Sequence, residues 1–183
     1  QISIGAVTVT IGGLVPGGYS LPTHAAHLLV ALTIFTLLTL TTLFAYRDQY
    51  RRPPRKRGRL AFGVTLAALV VSGLFSRALP LFAYSTAAQA WFYAVSLVAV
   101  CGLVAAVYWL GGVDQRGHRL AVGAFGVLFV TLLLGRDLVV YTQTIQQLNA
   151  GLYLLAVGLT AAGLWSLRTP SEQRLRQPST HGK

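Results

Sequence analysis

The chain has 183 residues, of which 54% are hydrophobic and only 10% are charged, and its mean hydropathy is +0.61. Soluble domains usually contain about 25% charged residues, so this composition excludes an ordinary soluble fold and predicts a protein whose solvent is lipid. The net charge of +11 does not indicate nucleic-acid binding, because nearly half of the Lys and Arg residues lie in one short loop, residues 47–59, between two apolar stretches.

Residues 1–23 are apolar but rich in glycine and proline, and we expect this segment to lie outside the membrane, on its surface or on a partner. Five apolar stretches follow, at residues 24–46, 60–82, 88–110, 119–141 and 150–167. Each is near the length of about 20 residues that a helix needs to cross a bilayer. No stretch alternates like a barrel strand, so the sequence predicts an all-α integral membrane protein with five transmembrane helices in residues 24–168. Residues 169–183 are polar and contain proline, which predicts a flexible tail.

Lys and Arg residues flank the predicted spans asymmetrically. If the loop of residues 47–59 lies in the cytoplasm, only Arg77 and Arg136 lie on the other side of the membrane. This positive-inside pattern predicts an N-terminus outside and a C-terminus inside, in the cytoplasmic membrane of a prokaryote. We also expect the basic loop to attract anionic lipid headgroups. The chain contains no methionine, so we expect it to be processed or incomplete, and removal of a signal peptide would agree with an outside N-terminus.

An internal similarity relates spans 2–3 to spans 4–5. Residues 59–63 (Arg-Leu-Ala-Phe-Gly) open span 2 and residues 119–123 (Arg-Leu-Ala-Val-Gly) open span 4, while Arg77 and Arg136 stand near the far ends of these spans. We interpret the pattern as a duplicated helical hairpin whose two copies run in the same direction. The alternative is a chance similarity between helices rich in leucine, alanine and glycine.

Two further patterns predict how the helices pack. Spans 1, 3 and 5 carry no charge in their cores, so we expect them to face lipid or a partner. Small residues spaced by four predict faces where a neighbouring backbone approaches closely. The pairs are Gly63/Ala67, Gly102/Ala106 and Gly158/Ala162.

A group of polar residues is predicted at the outer ends of the spans. Charged residues within membrane spans are rare and are candidates for function. The group consists of His24, His27, Arg77, Arg136, Asp137 and Tyr141. The alternative is an interfacial belt, since arginine, tyrosine and tryptophan favour the headgroup level. That belt would also include Tyr19, Tyr84, Trp91, Tyr93 and Tyr153.

The chemistry of this group suggests a cofactor site. His24 and His27 are three residues apart on one helix face, so together with Asp137 they could bind one metal ion such as copper. They cannot be the two axial ligands of one heme, but a heme held by one histidine or shared with a partner stays open. Arg77 and Arg136 would bind an anion: heme propionates, a lipid phosphate or an acidic substrate.

For function, we expect a membrane subunit of a larger redox or respiratory electron-transfer complex, with a heme, quinone or metal site at its outer face and no catalytic activity of its own. Its partners would be other membrane subunits or a second copy. One alternative is a non-catalytic scaffold or assembly subunit. Another is a small transporter or lipid-binding protein, but the polar residues of span 1 are threonines that we expect to bond to their own helix. They are Thr33, Thr36, Thr39 and Thr42.

Overall fold

The computed structural model describes residues 21–50, 53–76, 85–134 and 142–168, without the side chains of residues 21–27, 86 and 89. The helices are α1 (Leu21–Ala45), α2 (Pro54–Leu74), α3 (Thr86–Leu110), α4 (Gln115–Leu134) and α5 (Gln143–Ser166), and a 3-10 turn (Arg47–Gln49) follows α1. Within these described ranges there is no β-strand. All five helices are long and apolar enough to cross a membrane, which agrees with the predicted integral membrane protein. The predicted tail of residues 169–183 and residues 1–20 lie outside the described ranges.

Three helices begin four to seven residues before the apolar stretches that predicted them, because local capping sets their starts. Helix α2 begins at Pro54 rather than at residue 60, and a proline is well suited to the first helical position since its missing N–H has no partner there anyway. Helix α5 begins at Gln143 rather than at residue 150, because the Thr142 hydroxyl accepts a hydrogen bond from the Ile145 amide at 3.4 Å. Helix α4 begins at Gln115 rather than at residue 119, because the carboxylate of the preceding Asp114 accepts a hydrogen bond from the Gly117 amide at 2.9 Å.

Helices α2, α3, α4 and α5 form a four-helix bundle in which α2 packs most extensively on α3, and α4 on α5. Helix α1 lies beside this bundle and packs mainly on α3. Half of the α3 span (50%) is buried within the protein, against 11% of the α1 span. Span 3 is therefore the more buried of the two, because an uncharged helix suits the centre of a bundle as well as a lipid surface. That its exposed half faces lipid or a partner stays a prediction. For α1 the large exposed surface agrees with the expectation.

The end of the bundle where α1 and α3 end and α2 and α4 begin is called the basic end. A salt bridge of 2.7 Å joins Arg55 at the start of α2 to Asp114 just before α4. Gly117 at the start of α4 lies against Leu110 and Leu167, so α3 and α5 also end here. Between α3 and α4 the chain turns through Gly112, whose φ of +76° suits glycine. The basic end would face the cytoplasm under the positive-inside prediction.

Close helix contacts occur at only one of the three predicted small-residue pairs. Gly102 is buried, and a Cβ there would overlap Thr65 Oγ1 and lie 3.1 Å from the carbonyl oxygen of Ala61 on α2. By contrast, a Cβ at Gly63 or Gly158 would meet nothing within 4 Å. These two predicted faces are wrong, because spacing by four shows that small residues share a face but not what lies opposite. The duplicated hairpin stays a prediction.

Candidate functional site

Most of the predicted outer site lies outside the described residues. This applies to Arg77, Arg136, Asp137 and Tyr141. His24 and His27 fall in the first two turns of α1, where the backbone is described but the side chains are not. The metal site of His24, His27 and Asp137 and the arginine pair therefore stay predictions. Among the described residues, no three His, Cys, Asp or Glu side chains come together.

A cleft lies directly beyond the two histidine positions. This opposite-end cleft has a volume of about 380 Å³. It is lined by Leu28, Ala31, Leu32 and Phe35 of α1, Tyr93 and Leu97 of α3, and Leu132 of α4. Residues four apart on a helix share a face, so positions 24 and 27 lie on the same side of α1 as Leu28 and Ala31, one turn nearer its start. Ligand sites are mostly apolar clefts of about 300–1,000 Å³ with a few polar groups, so this cleft is of a suitable size.

Buried hydroxyl groups join α2 and α5 in the half of the bundle that contains the opposite-end cleft. The Tyr153 hydroxyl donates to the backbone carbonyl of Leu69 and lies 2.6 Å from Ser72 Oγ. Tyr153 is only 3% exposed, so its assignment to an interfacial belt is wrong: its ring packs inside the bundle. Trp91 is 60% exposed, as a belt residue should be. One turn before Tyr153, the buried Asn149 Oδ1 has no hydrogen-bond donor within the described part of the chain.

At the basic end, Asp114 links the start of α2 to the start of α4. Its carboxylate accepts from Arg55 Nη2 at 2.7 Å and from the Gly117 amide at 2.9 Å. Burial by itself would raise the pKa of Asp114, but these hydrogen bonds and the positive charge of Arg55 together hold that pKa below its ordinary value. His118 also connects α4 to the end of α3, because its Nδ1 lies 3.1 Å from the carbonyl oxygen of Val107.

A second cluster at the basic end is built around Tyr50. Arg57 Nη2 donates to the Tyr50 carbonyl at 2.6 Å, and the guanidinium carbon lies 4.7 Å from the centre of the Tyr50 ring. The same ring meets Trp109 edge-on, with centroids 5.5 Å apart and planes at 83°. The Nε of Arg57 and the Nε1 of Trp109 are buried and have no acceptor among the described residues. Sequence reasoning treated Arg57 only as one charge of a loop, since nothing in the spacing shows that Tyr50 and Trp109 meet it.

Three of the four threonines singled out on span 1 use their hydroxyls within α1. Thr33, Thr39 and Thr42 donate to carbonyl oxygens four residues earlier in the same helix, at 2.8, 2.9 and 2.8 Å. The prediction for these three is confirmed, and hydroxyls used in this way offer little to a passing solute.

Comparison of the chain with protein-family models, with curated proteins and with solved structures finds no match.

Proposed function

We propose that this chain is an integral membrane subunit of a larger electron-transfer assembly and that it binds a quinone at the opposite-end cleft. The observation that carries the proposal is the apolar cleft of about 380 Å³ beside α1, with the positions of His24 and His27 one turn beyond its lining. A quinone joins an apolar tail to a flat ring with carbonyl acceptors. Such a molecule needs an apolar slot with hydrogen-bond donors at one end.

Each predicted site residue has a role in this proposal. The ring and first tail units would lie against Leu28, Leu32 and Tyr93, and His24 or His27 would donate a hydrogen bond to a ring carbonyl. Arg77 and Arg136 would stabilise the negative charge of a reduced ring, and Asp137 would orient one of these cations. The electrons would come from a redox centre of a partner subunit. The volume of the cleft favours a quinone ring over the larger heme macrocycle.

The arginine distribution supports the proposed location. With the basic end in the cytoplasm, the opposite-end cleft would open towards the outer leaflet of a prokaryotic cytoplasmic membrane.

The test is the cofactor content of the protein purified gently in detergent with its native partners. We expect a stoichiometric quinone in the solvent extract. Ala31→Phe fills the cleft and should remove the quinone, and His24→Ala and His27→Ala should weaken its retention. Ala90→Phe is the matched control, because it adds the same bulk at an exposed position of α3 and should leave the quinone content unchanged.

A spectrum and metal analysis of the same sample separate the alternatives. A Soret band lost in His24→Ala or His27→Ala would assign the outer site to heme, and stoichiometric copper lost in the same variants would assign it to a metal. Either result would refute the quinone proposal but not the electron-transfer role. A partner-bound sample without quinone, heme or metal would refute both.

A second candidate is a scaffold subunit without a cofactor, which is favoured by the exposed apolar surface of α1. Leu37, Leu38 and Phe44 are each more than half exposed. In that case polar substitutions such as Leu38→Gln should release the partner subunits, and filling the cleft at Ala31 should have no effect on assembly.

A further inference from the structure

A second cleft lies at the basic end, between the last turns of α1 and α3. This basic-end cleft has a volume of about 440 Å³ and is lined by Leu40, Thr41, Phe44 and Ala45 of α1 and Tyr108 of α3. The Thr41 hydroxyl is already used, because it donates to the carbonyl of Leu37 at 2.8 Å. The wall is therefore apolar, and it suits a hydrocarbon chain.

A cation stands at the edge of this cleft. The guanidinium carbon of Arg47 lies 4.7 Å from the centre of the Phe44 ring, which lines the cleft. Arg47 also pairs with Asp48 at 3.5 Å, but the two side chains are 56% and 89% exposed. Such an exposed pair contributes little because water screens it. Arg47 is therefore available to a stronger anion.

A second cation stands close to the first. Tyr50 follows the 3-10 turn that begins at Arg47, and a 3-10 helix rises only about 2 Å per residue. Arg57 packs on the Tyr50 ring, and Trp109 touches the edge of the same ring. The buried N–H groups of Arg57 Nε and Trp109 Nε1 have no acceptor within the described residues. Protein atoms cover these two N–H groups, whereas Arg57 as a whole is only partly buried, so its positive charge is what a ligand at this end would meet.

The basic end carries an excess of positive charge, which favours an anionic ligand. Only two described acids, Asp48 and Asp114, lie at the basic end, and the carboxylate of Asp114 is already bound by Arg55 and the Gly117 amide. The described cations there are far more numerous: Arg47, Arg55, Lys56, Arg57, Arg59, Arg116, Arg119 and Arg168.

We infer that the basic end binds one anionic phospholipid at a defined site. An acyl chain lies in the basic-end cleft against Phe44 and Tyr108. The phosphate lies between the guanidinium groups of Arg47 and Arg57. An apolar groove that ends in two arginines has the shape and charge of one phospholipid, and this site is more specific than a general attraction between the basic loop and the membrane. The inference uses none of the residues of the proposed quinone site.

The experiment is native mass spectrometry of the full chain in detergent, titrated with dioleoylphosphatidylglycerol or dioleoylphosphatidylcholine. We expect the anionic lipid to bind about tenfold more tightly, because its phosphate charge is not offset by a choline cation. Arg57→Gln should weaken the anionic lipid by about tenfold. The matched control is Lys56→Gln, which removes the same charge from the neighbouring exposed position and should change the affinity by less than about twofold.

A second pair of variants tests the cleft without touching a charge. Ala45→Trp should fill the cleft and displace the lipid, whereas Leu38→Trp, at a residue of α1 that is 61% exposed, should not. Equal losses in Lys56→Gln and Arg57→Gln, equal binding of the two lipids, or displacement of the lipid by inorganic phosphate alone would overturn the inference. The first result would show a diffuse charge effect, the second no preference for an anion, and the third a site for a free anion rather than a lipid.

Discussion

The hydroxyl of Tyr153 forms hydrogen bonds between α5 and α2, and Tyr153→Phe tests their contribution to stability by removing only that hydroxyl. The aromatic ring would stay in place, because it packs over Gly73, where a Cβ would lie 3.3 Å from Tyr153 Cε1. The substitution removes the bond to the Leu69 carbonyl and the 2.6 Å contact with Ser72 Oγ. Ser72 keeps an acceptor, since its own hydroxyl reaches the Leu69 carbonyl at 3.2 Å. No buried donor is therefore left unpaired.

The expected cost follows from this geometry. Hydrogen bonds between membrane helices contribute about 0.6 kcal/mol on average and up to about 1.7 kcal/mol. Since Tyr153 loses two contacts while Ser72 keeps its own bond to the Leu69 carbonyl, we expect the free energy of unfolding to fall by about 1 kcal/mol. The assay is unfolding in mixed micelles with a rising fraction of sodium dodecyl sulfate, followed by circular dichroism.

A control variant and a double-mutant cycle test whether the loss of stability comes from the Tyr153 hydroxyl. Tyr46→Phe removes a hydroxyl from a residue that is 51% exposed and should change stability by less than about 0.5 kcal/mol. Combined with Ser72→Ala, Tyr153→Phe should show a coupling energy of at least about 0.5 kcal/mol, because the two hydroxyls are in contact. Strictly additive effects, or a loss no larger than that of Tyr46→Phe, would refute the reasoning.

Two other predictions concern packing and pH. Gly102→Ala should lower the free energy of unfolding by about 1–3 kcal/mol through its overlap with Thr65, whereas Gly158→Ala, which meets nothing within 4 Å, should be tolerated in the same micelle assay. The lowered pKa of Asp114 contributes stability that is present above the unfolded-state pKa of about 4 and is lost as pH falls through the folded-state pKa. The loss of stability on acidification should be smaller in Asp114→Asn, and an unchanged pH profile of that variant would show that another carboxylate is responsible.

The helices could be predicted from the sequence because lipid imposes a simple rule: about 20 apolar residues form a helix. Their starts could not, because Pro54, Asp114 and Thr142 act through local capping that hydropathy does not detect. Which helices pack against each other could not be predicted from the sequence either. The same small-residue spacing occurs at the buried Gly102 and at the exposed Gly158, and only the packed structure distinguishes them.

In the candidate sites, too, some features could be predicted from the sequence and others could not. The positions of His24 and His27 could be chosen because polar residues at the start of an apolar span are rare. The cleft beyond them could not, since it depends on the separation between α1 and α3, which no spacing encodes. The Tyr50, Arg57 and Trp109 cluster was missed for the same reason, because its members come from three different parts of the chain.

Helix α1 connects the two proposed sites. It touches α3 between the clefts, where Thr39 Oγ1 lies 3.6 Å from Cys101 Sγ, and a cleft separates the two helices on either side of this contact. A quinone in one cleft and a phospholipid in the other would each add contacts between α1 and the bundle, so both would stabilise the same docked position of a helix that buries only 11% of its span. Coupling of this kind is reciprocal. The quinone affinity in nanodiscs should therefore rise when phosphatidylglycerol replaces phosphatidylcholine, and Arg57→Gln should remove this increase. An identical quinone affinity in both lipids would show that α1 is held firmly without either ligand.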